Sequence, residues 1–197
     1  VQGACEALRA LMTSMPRAVL DVGCGTGTWL RAALDLGARE ILGVDGADLP
    51  AEALWVSKEH VRQADLTRPL NLARRFELVL CLEVAEHLEP ASAATLIDTL
   101  AAHGDRILFS AAAPGQRGTH HVNCQWPDYW QSLFNARGFT CDDAVRWEIW
   151  RNGRIEPWYR QNIMMAVRDE ARAGSEPRIL PVLHPEMVEQ VAPQFLD

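Results

Sequence analysis

The chain has 197 residues, of which 48% are hydrophobic and 23% charged, which is enough apolar material for the core of one domain. No apolar run approaches the roughly 18 residues that a membrane-spanning helix needs, so we expect no membrane span. The formal net charge is −7, and the basic residues are scattered among 26 acidic ones without a dense basic run. This argues against broad electrostatic capture of nucleic acid and favours a small or neutral partner.

The five cysteines predict a reducing environment. They are odd in number and widely spaced, so the sequence contains no C-x-x-C metal or redox pair. Free thiols of this kind are typical of the cytoplasm, where disulfides are rare. We therefore expect a cytoplasmic protein.

The first half of the chain predicts alternating helices and strands. Residues 1–15 have the spacing of an amphipathic helix that Pro16 ends, and we expect this helix to cover a sheet edge. A strand at 18–22 then enters a glycine-rich loop and a helix that Gly37 closes. Three more apolar runs predict strands, the last of them a buried parallel strand, at 41–45, 61–65 and 76–84.

The same alternation continues beyond the fourth strand. A helix begins at Pro90 and stops at Gly104, and a strand follows at 106–113. Further on, tryptophans and other apolar residues at helical spacing predict a helix that ends at Gly138.

The last predicted elements differ from the rest. Asn152-Gly153 lies between two extended runs, 145–150 and 155–167, and this pattern predicts a β-hairpin. A hairpin adds one antiparallel strand at or near the edge of the sheet. The fold class is therefore predicted to be α/β: a doubly wound, mostly parallel, seven-stranded sheet with one antiparallel strand and helices on both faces.

The chain divides into a domain and a tail. Residues 1–168 carry the predicted strands and helices. Residues 169–197 contain four prolines and little periodicity, and we interpret them as a C-terminal arm or lid of uncertain order.

The loop after the first strand is the first candidate for ligand binding. Its glycines, Gly23, Gly25 and Gly27, allow backbone N–H groups to approach a ligand at the carboxyl ends of parallel strands. A dinucleotide-binding fingerprint would need a glycine or alanine at Thr28, so the spacing disfavours NAD. A tight strand-to-helix turn with no ligand is the alternative explanation.

Acidic residues lie at the ends of the first three predicted strands. Asp45 is placed to accept the two hydroxyls of a ribose, and Asp65 lies where an adenine is expected. S-adenosylmethionine carries a sulfonium and an ammonium group and no pyrophosphate, so a site that contains Asp21 and other carboxylates suits its charge. Acids at strand ends also occur as turn formers, and that interpretation stays open.

These motifs resemble those of class I, Rossmann-like S-adenosylmethionine-dependent methyltransferases. Residues 19–27 and 43–46 resemble the first motif and its partner, and residues 65–66 and 76–88 are similar to the later motifs, so the match spans about 19–168. The resemblance implies that Gly23, Gly25 and Gly27 hold the methionine part of S-adenosylmethionine and that Asp45 binds the ribose. It also implies that Asp65 and Leu66 contact the adenine and that the Leu82 carbonyl accepts a hydrogen bond from the ammonium group.

Two further stretches resemble a group of small bacterial methyltransferases often associated with glycan or natural-product assembly. They are residues 109–130 and 158–162, and the chain departs from the group at Cys124, where its members have an acid. The resemblance implies methyl transfer to a small-molecule acceptor, with an oxygen of a glycan or natural-product-type compound as the expected site.

The candidate base for such an acceptor lies after the fifth strand. His120 and His121 stand next to tryptophans, and histidine is the natural base near neutral pH. The alternative is that one histidine caps a turn while Trp126 and Trp130 belong to the core.

A candidate metal site lies at the end of the fourth strand. Glu83, Glu86 and His87 share one face if a helical turn follows, and His120 or His121 could complete a site for Mg²⁺ or Mn²⁺. The spacing resembles the metal-binding motif of small-RNA 3′-terminal 2′-O-methyltransferases and of ubiquinone-pathway O-methyltransferases. A helix start without metal is the competing explanation.

The sequence also bears on three other functions. A nicotinamide-dependent reductase with Tyr-x-x-x-Lys chemistry is excluded because Lys58 is the only lysine and no tyrosine lies four residues before it. A noncatalytic subunit that binds S-adenosylmethionine and a partner protein stays possible, as does metal-assisted RNA methylation. The oligomeric state is not defined by the sequence.

Overall fold

The computed structural model describes residues 1–188, and a seven-stranded sheet forms their centre. The strands are Ala18–Val22 (β1), Glu40–Asp45 (β2), Val61–Gln63 (β3), Leu78–Leu82 (β4), Arg106–Ser110 (β5), Phe139–Asp142 (β6) and Met164–Arg168 (β7). The helices are Gln2–Leu11 (α1), Thr28–Asp35 (α2), Ala93–His103 (α3), Pro127–Asn135 (α4), Ala144–Ile149 (α5) and Pro157–Asn162 (α6). The strand order is β3-β2-β1-β4-β5-β7-β6, with β7 antiparallel to both its neighbours. The predicted fold class is confirmed.

Strand β4 illustrates why the middle of the sheet is so apolar. All five of its residues are buried, and alternate side chains enter two separate cores. Val79 and Cys81 pack with α3 and α4 on one face, while Leu78 and Leu80 pack with α1 and α2 on the other. A parallel strand covered on both faces needs apolar residues at every position, as its sequence indicated.

Helix α1 differs from its prediction in length and in place. It ends at Leu11, since Met12 already has an extended backbone, and it packs on α2 and α5 over one face of the sheet rather than over an edge. Its buried residues, Ala4, Ala7 and Leu8, supply the apolar stripe that this contact requires. Within residues 1–188, no helix is long and apolar enough to cross a membrane.

Three strands end earlier than their apolar runs predicted. Strand β3 stops at Gln63, β4 at Leu82 and β5 at Ser110. Beyond these points the chain turns over the carboxyl edge of the sheet, and at Glu83 the backbone enters the left-handed region, with φ of 54°. The early ends matter because they place Asp65 and Glu83 in loops above the sheet rather than within strands.

The predicted hairpin at Asn152-Gly153 is wrong. The dipeptide joins the two short helices α5 and α6, and the Asn152 side chain accepts a hydrogen bond from the Arg154 N–H at 3.1 Å. Ile149 at the end of α5 and Ile155 in the link are both buried in the core that α1 covers. The antiparallel strand is β7, which coincides with the end of the predicted extended run 155–167. Its partner on the outer side is β6, a four-residue strand that was not predicted.

The described part of the C-terminal arm, residues 169–188, packs on the domain. Glu176 lies across the outer edge of β6, where its Oε1 accepts hydrogen bonds from the Cys141 N–H (3.0 Å), Gln131 (3.1 Å) and Asn135. Ile179 and Met187 are buried. This part of the arm therefore covers the sheet edge, and residues 189–197 lie outside the described residues.

Candidate functional site

A cavity of about 700 Å³ lies over the carboxyl ends of β1 to β4. This edge of an open parallel sheet is where such folds bind ligands. Six of the residues predicted to bind cofactor or metal line it: Gly23, Asp45, Asp65, Leu66, Glu83 and His87. It is also lined by Gly46, Gln63, Ala64, Val84 and Leu88.

One residue of the glycine loop, Gly23, lines the cavity next to β1. Gly23 has φ of 80°, and a Cβ there would lie 2.3 Å from the Val84 side chain, so only glycine fits. Gly27 also has a positive φ and packs against Val56 just before α2. The N–H of Gly25 donates to Asp45 Oδ2 at 2.7 Å, which fixes the loop against the end of β2.

Two of the predicted acids have well-defined roles in the loops. Asp45 also accepts a hydrogen bond from the Ala47 N–H at 2.8 Å, so the backbone holds both of its oxygens in place. Asp65 accepts from the Thr67 side chain and N–H, which lowers the pKa of its carboxyl group. Asp65 is thus a turn former that also lines the cavity, beside the buried Leu66.

Asp21 lies near the end of β1, two residues before Gly23, and is not among the described residues that line the cavity. Its side chain is 2% exposed, and its Oδ2 has no hydrogen-bond partner among the described residues. Burial, and secondarily the charge of Asp45, raises the pKa of Asp21 to about 8. A buried carboxyl with a free oxygen is placed to receive a cationic hydrogen-bond donor.

Two side-chain amides hold Glu83 at the end of the cavity nearest β5. Its carboxylate accepts hydrogen bonds from Gln116 Nε2 at 2.8 Å and Asn162 Nδ2 at 3.1 Å, and its N–H donates to the Ser110 carbonyl. Burial raises the pKa of Glu83. The roles of Gln116 and Asn162 were not predicted from the sequence, because their contacts with Glu83 span 33 and 79 residues of the chain.

The histidines are arranged differently from one another. His87 lines the cavity, and its ring lies 5.0 Å from that of His121. His120 is exposed with φ of 58°, and its carbonyl oxygen lies 3.3 Å from His87 Nδ1. His121 Nδ1 lies 3.1 Å from the Gln116 carbonyl oxygen. Because a carbonyl oxygen only accepts hydrogen bonds, Nδ1 of each ring must carry the proton in these contacts, and Nε2 then carries the lone pair of the neutral ring.

Part of the predicted metal cluster is also assembled. Glu86, His87 and His121 can each offer a ligand atom, all within 4.8 Å of one another. Glu86 is fully buried, and burial, followed by the charge of Glu83, raises the pKa of Glu86 to about 8. Glu83 is outside this group.

The glycine loop, the carboxylates at successive strand ends and the sheet order define a Rossmann-like methyltransferase. Residues 2–144 match the family described as a methyltransferase domain, so the chain belongs to that family and is an S-adenosylmethionine-dependent methyltransferase.

Individual relatives are more distant. The chain is 29% identical over 140 residues to the ribosomal protein L11 methyltransferase of Xanthomonas oryzae pv. oryzae (strain MAFF 311018), a match that covers 61% of this chain and 42% of that protein. The chain thus spans less than half the length of this curated relative.

Solved structures share the fold. The DesVI protein of Streptomyces venezuelae superposes with a TM-score of 0.65 at 13% identity, covering 84% of this chain and 90% of that one. The magnesium protoporphyrin IX methyltransferase of Synechocystis PCC 6803, with bound S-adenosylhomocysteine (SAH), gives a TM-score of 0.59 at 22% identity, covering 84% and 80%.

Proposed function

We propose that this protein transfers a methyl group from S-adenosylmethionine to an oxygen of a small-molecule acceptor, of the glycan or natural-product type. The observation that carries the proposal is the unequal chemistry of the cavity's two ends. One end has Asp45 and Asp65 for a nucleoside, and the other has the imidazole of His87 beside Glu83.

The residues present fit S-adenosylmethionine. The free oxygen of Asp21, two residues before Gly23, suits its ammonium group. The described residues that line the cavity include neither lysine nor arginine, which suits a ligand with two positive centres and no phosphate. When bound, the cofactor supplies a methyl group on a positively charged sulfur. Asp45 would accept the ribose hydroxyls, Asp65 and Leu66 would flank the adenine, and the loop from Gly23 to Gly27, with the Leu82 carbonyl, would hold the methionine part.

His87 supports the choice of an oxygen acceptor. A hydroxyl group must lose its proton as its oxygen bonds to the methyl carbon, so a neutral base is needed beside it. Burial, and then the neighbouring His121, lowers the pKa of His87, which keeps its ring neutral near pH 7. The free Nε2 of His87 would take the proton, and His121 stands close enough to share that role.

The test is a methylation assay with isotopically labelled S-adenosylmethionine and paired acceptors. Each pair contains a hydroxylated compound and its analogue with the hydroxyl replaced by an amine, and the methylated atom is identified by NMR. We expect methyl ethers as products. Products methylated only on nitrogen would contradict the oxygen assignment while leaving methyl transfer intact. Cofactor binding without turnover over the whole panel would favour a noncatalytic partner subunit.

Metal-assisted methyl transfer is the second candidate, because Glu86, His87 and His121 bring three ligand atoms within 4.8 Å. Mn²⁺ or Mg²⁺ there would lower the pKa of a coordinated acceptor hydroxyl. Under this hypothesis, exhaustive chelation should abolish activity and added Mn²⁺ should restore it. Full activity in the metal-free enzyme would leave these residues with proton-transfer or structural roles.

A further inference from the structure

The Glu83 carboxylate is fixed by groups that do not neutralise it. Gln116 and Asn162 both donate N–H groups to it, and Asn162 Nδ2 also lies 2.9 Å from Gln116 Oε1, which sets the orientation of both amides. Neutral amides orient a carboxylate and satisfy its lone pairs, but they leave its charge in place. The side chain is therefore held ready for a ligand group of opposite charge.

No lysine or arginine side chain of the described residues takes that place. Glu83 forms no ion pair within residues 1–188, and the cavity lining contains no lysine or arginine. Glu86, which is fully buried, adds a second carboxyl group beside Glu83. Burying carboxylates without a counter-charge is costly, so this end of the cavity favours a positively charged occupant.

The position of Glu83 indicates whether the cofactor or the methyl acceptor carries the positive charge that pairs with it. Its partners come from the loop after β5 and from the end of α6, whereas the nucleoside end is bounded by β2 and β3. The ammonium group of the cofactor already has a candidate partner in the free oxygen of Asp21. The carboxylate of Glu83 thus remains for the methyl acceptor.

We propose that Glu83 binds a protonated amine of the acceptor next to the transferred methyl group, so that the acceptor is an amino-substituted hydroxyl compound. The proposal rests on the proposed function. It assigns Gln116 and Asn162 as positioning residues, since they touch Glu83 and set its direction.

Three cofactor analogues test this by calorimetry in the presence of a chelator. They are 5′-methylthioadenosine, which lacks the amino-acid part; SAH, which has it; and sinefungin, which also carries an amine where the methyl group would be. Glu83→Gln should lower sinefungin affinity about tenfold, because it removes a buried charge partner, and change the other two affinities less than twofold. Asn162→Ala should give a smaller loss with the same selectivity.

Asp65→Asn is the matched control, because Asp65 lies at the nucleoside end and should affect all three ligands alike. An equal loss of SAH and sinefungin in Glu83→Gln would place Glu83 on the cofactor's own ammonium group and overturn the proposal. Unchanged sinefungin affinity in both Glu83→Gln and Asn162→Ala would also overturn it. If none of the three ligands binds the wild-type protein, the proposed function itself fails.

Discussion

Replacing His87 by alanine is expected to lower turnover about a hundredfold or more, which is the usual loss when a general base is removed. The ring lines the cavity, and the contact of its Nδ1 with the His120 carbonyl leaves Nε2 as the proton acceptor. Steady-state kinetics on the identified acceptor measures the loss. SAH affinity should change less than twofold, because the proton is moved only in the reaction.

The pH dependence of turnover gives a second readout for the same residue. Because the pKa of His87 lies below its usual 6.5, the ring is already basic at pH 7. Turnover should rise with pH along an acidic limb below pH 6.5 and level off above it, and this limb should disappear in His87→Asn. Wild-type turnover in both His87 variants would show that this imidazole takes no proton.

Separate variants of His120 and His121 distinguish which of the two histidines acts beside His87. His120 and His121 were equivalent candidates in the sequence, but only the His121 ring lies beside His87. His121→Ala should therefore lower turnover more than His120→Ala. The opposite order would favour an acceptor bound outside the cavity, against the exposed His120.

Asp45→Ala is expected to weaken SAH binding about a hundredfold. Two hydrogen bonds from ribose hydroxyls to a charged acceptor contribute roughly 3 kcal/mol, and that energy corresponds to about a hundredfold in affinity. The same carboxylate accepts the Gly25 and Ala47 N–H groups, so its loss also releases the glycine loop. Calorimetry measures the SAH affinity. The melting temperature of the ligand-free variant shows whether a lower affinity comes from a general loss of protein stability.

Asp48→Ala provides the control for Asp45. Asp48 lies three residues further on, and its exposed carboxylate pairs with Lys58 and does not line the cavity. Its removal should change SAH affinity less than twofold. If Asp45→Ala bound SAH as tightly as the wild type, Asp45 would have no role in ribose recognition.

The first half of the fold could be predicted because its signals are local. The apolar run of β1 is followed by glycines, and at Gly23 and Gly27 the backbone is left-handed, which explains why glycine stands there. Strand β4 is apolar throughout because both its faces are covered. The hairpin prediction failed because the turn chemistry of Asn152-Gly153 also suits a link between short helices. Strand β6 was missed because four residues are too few for a visible alternation.

The acceptor end of the site was harder to predict, since its contacts come from distant parts of the chain. Nothing near Glu83 indicated that Gln116 and Asn162 would hold it, and so it was grouped with Glu86 and His87 as a metal ligand. The left-handed residue at His120 changes the chain direction between two histidines that look alike in the sequence. The contacts of Glu83 and the direction of the His121 side chain depend on tertiary packing.

The position of Glu176 has a consequence for how the protein can be shortened. The family match ends at residue 144, but the outer backbone edge of β6 is covered by Glu176 of the arm and by Asn135, which donates to the Phe139 carbonyl. A domain cut after β7 would retain every strand and Asn135, but it would remove the Glu176 contact with the Cys141 N–H. Free strand edges recruit strands from other molecules, so we expect the shortened protein to aggregate more readily than the full chain.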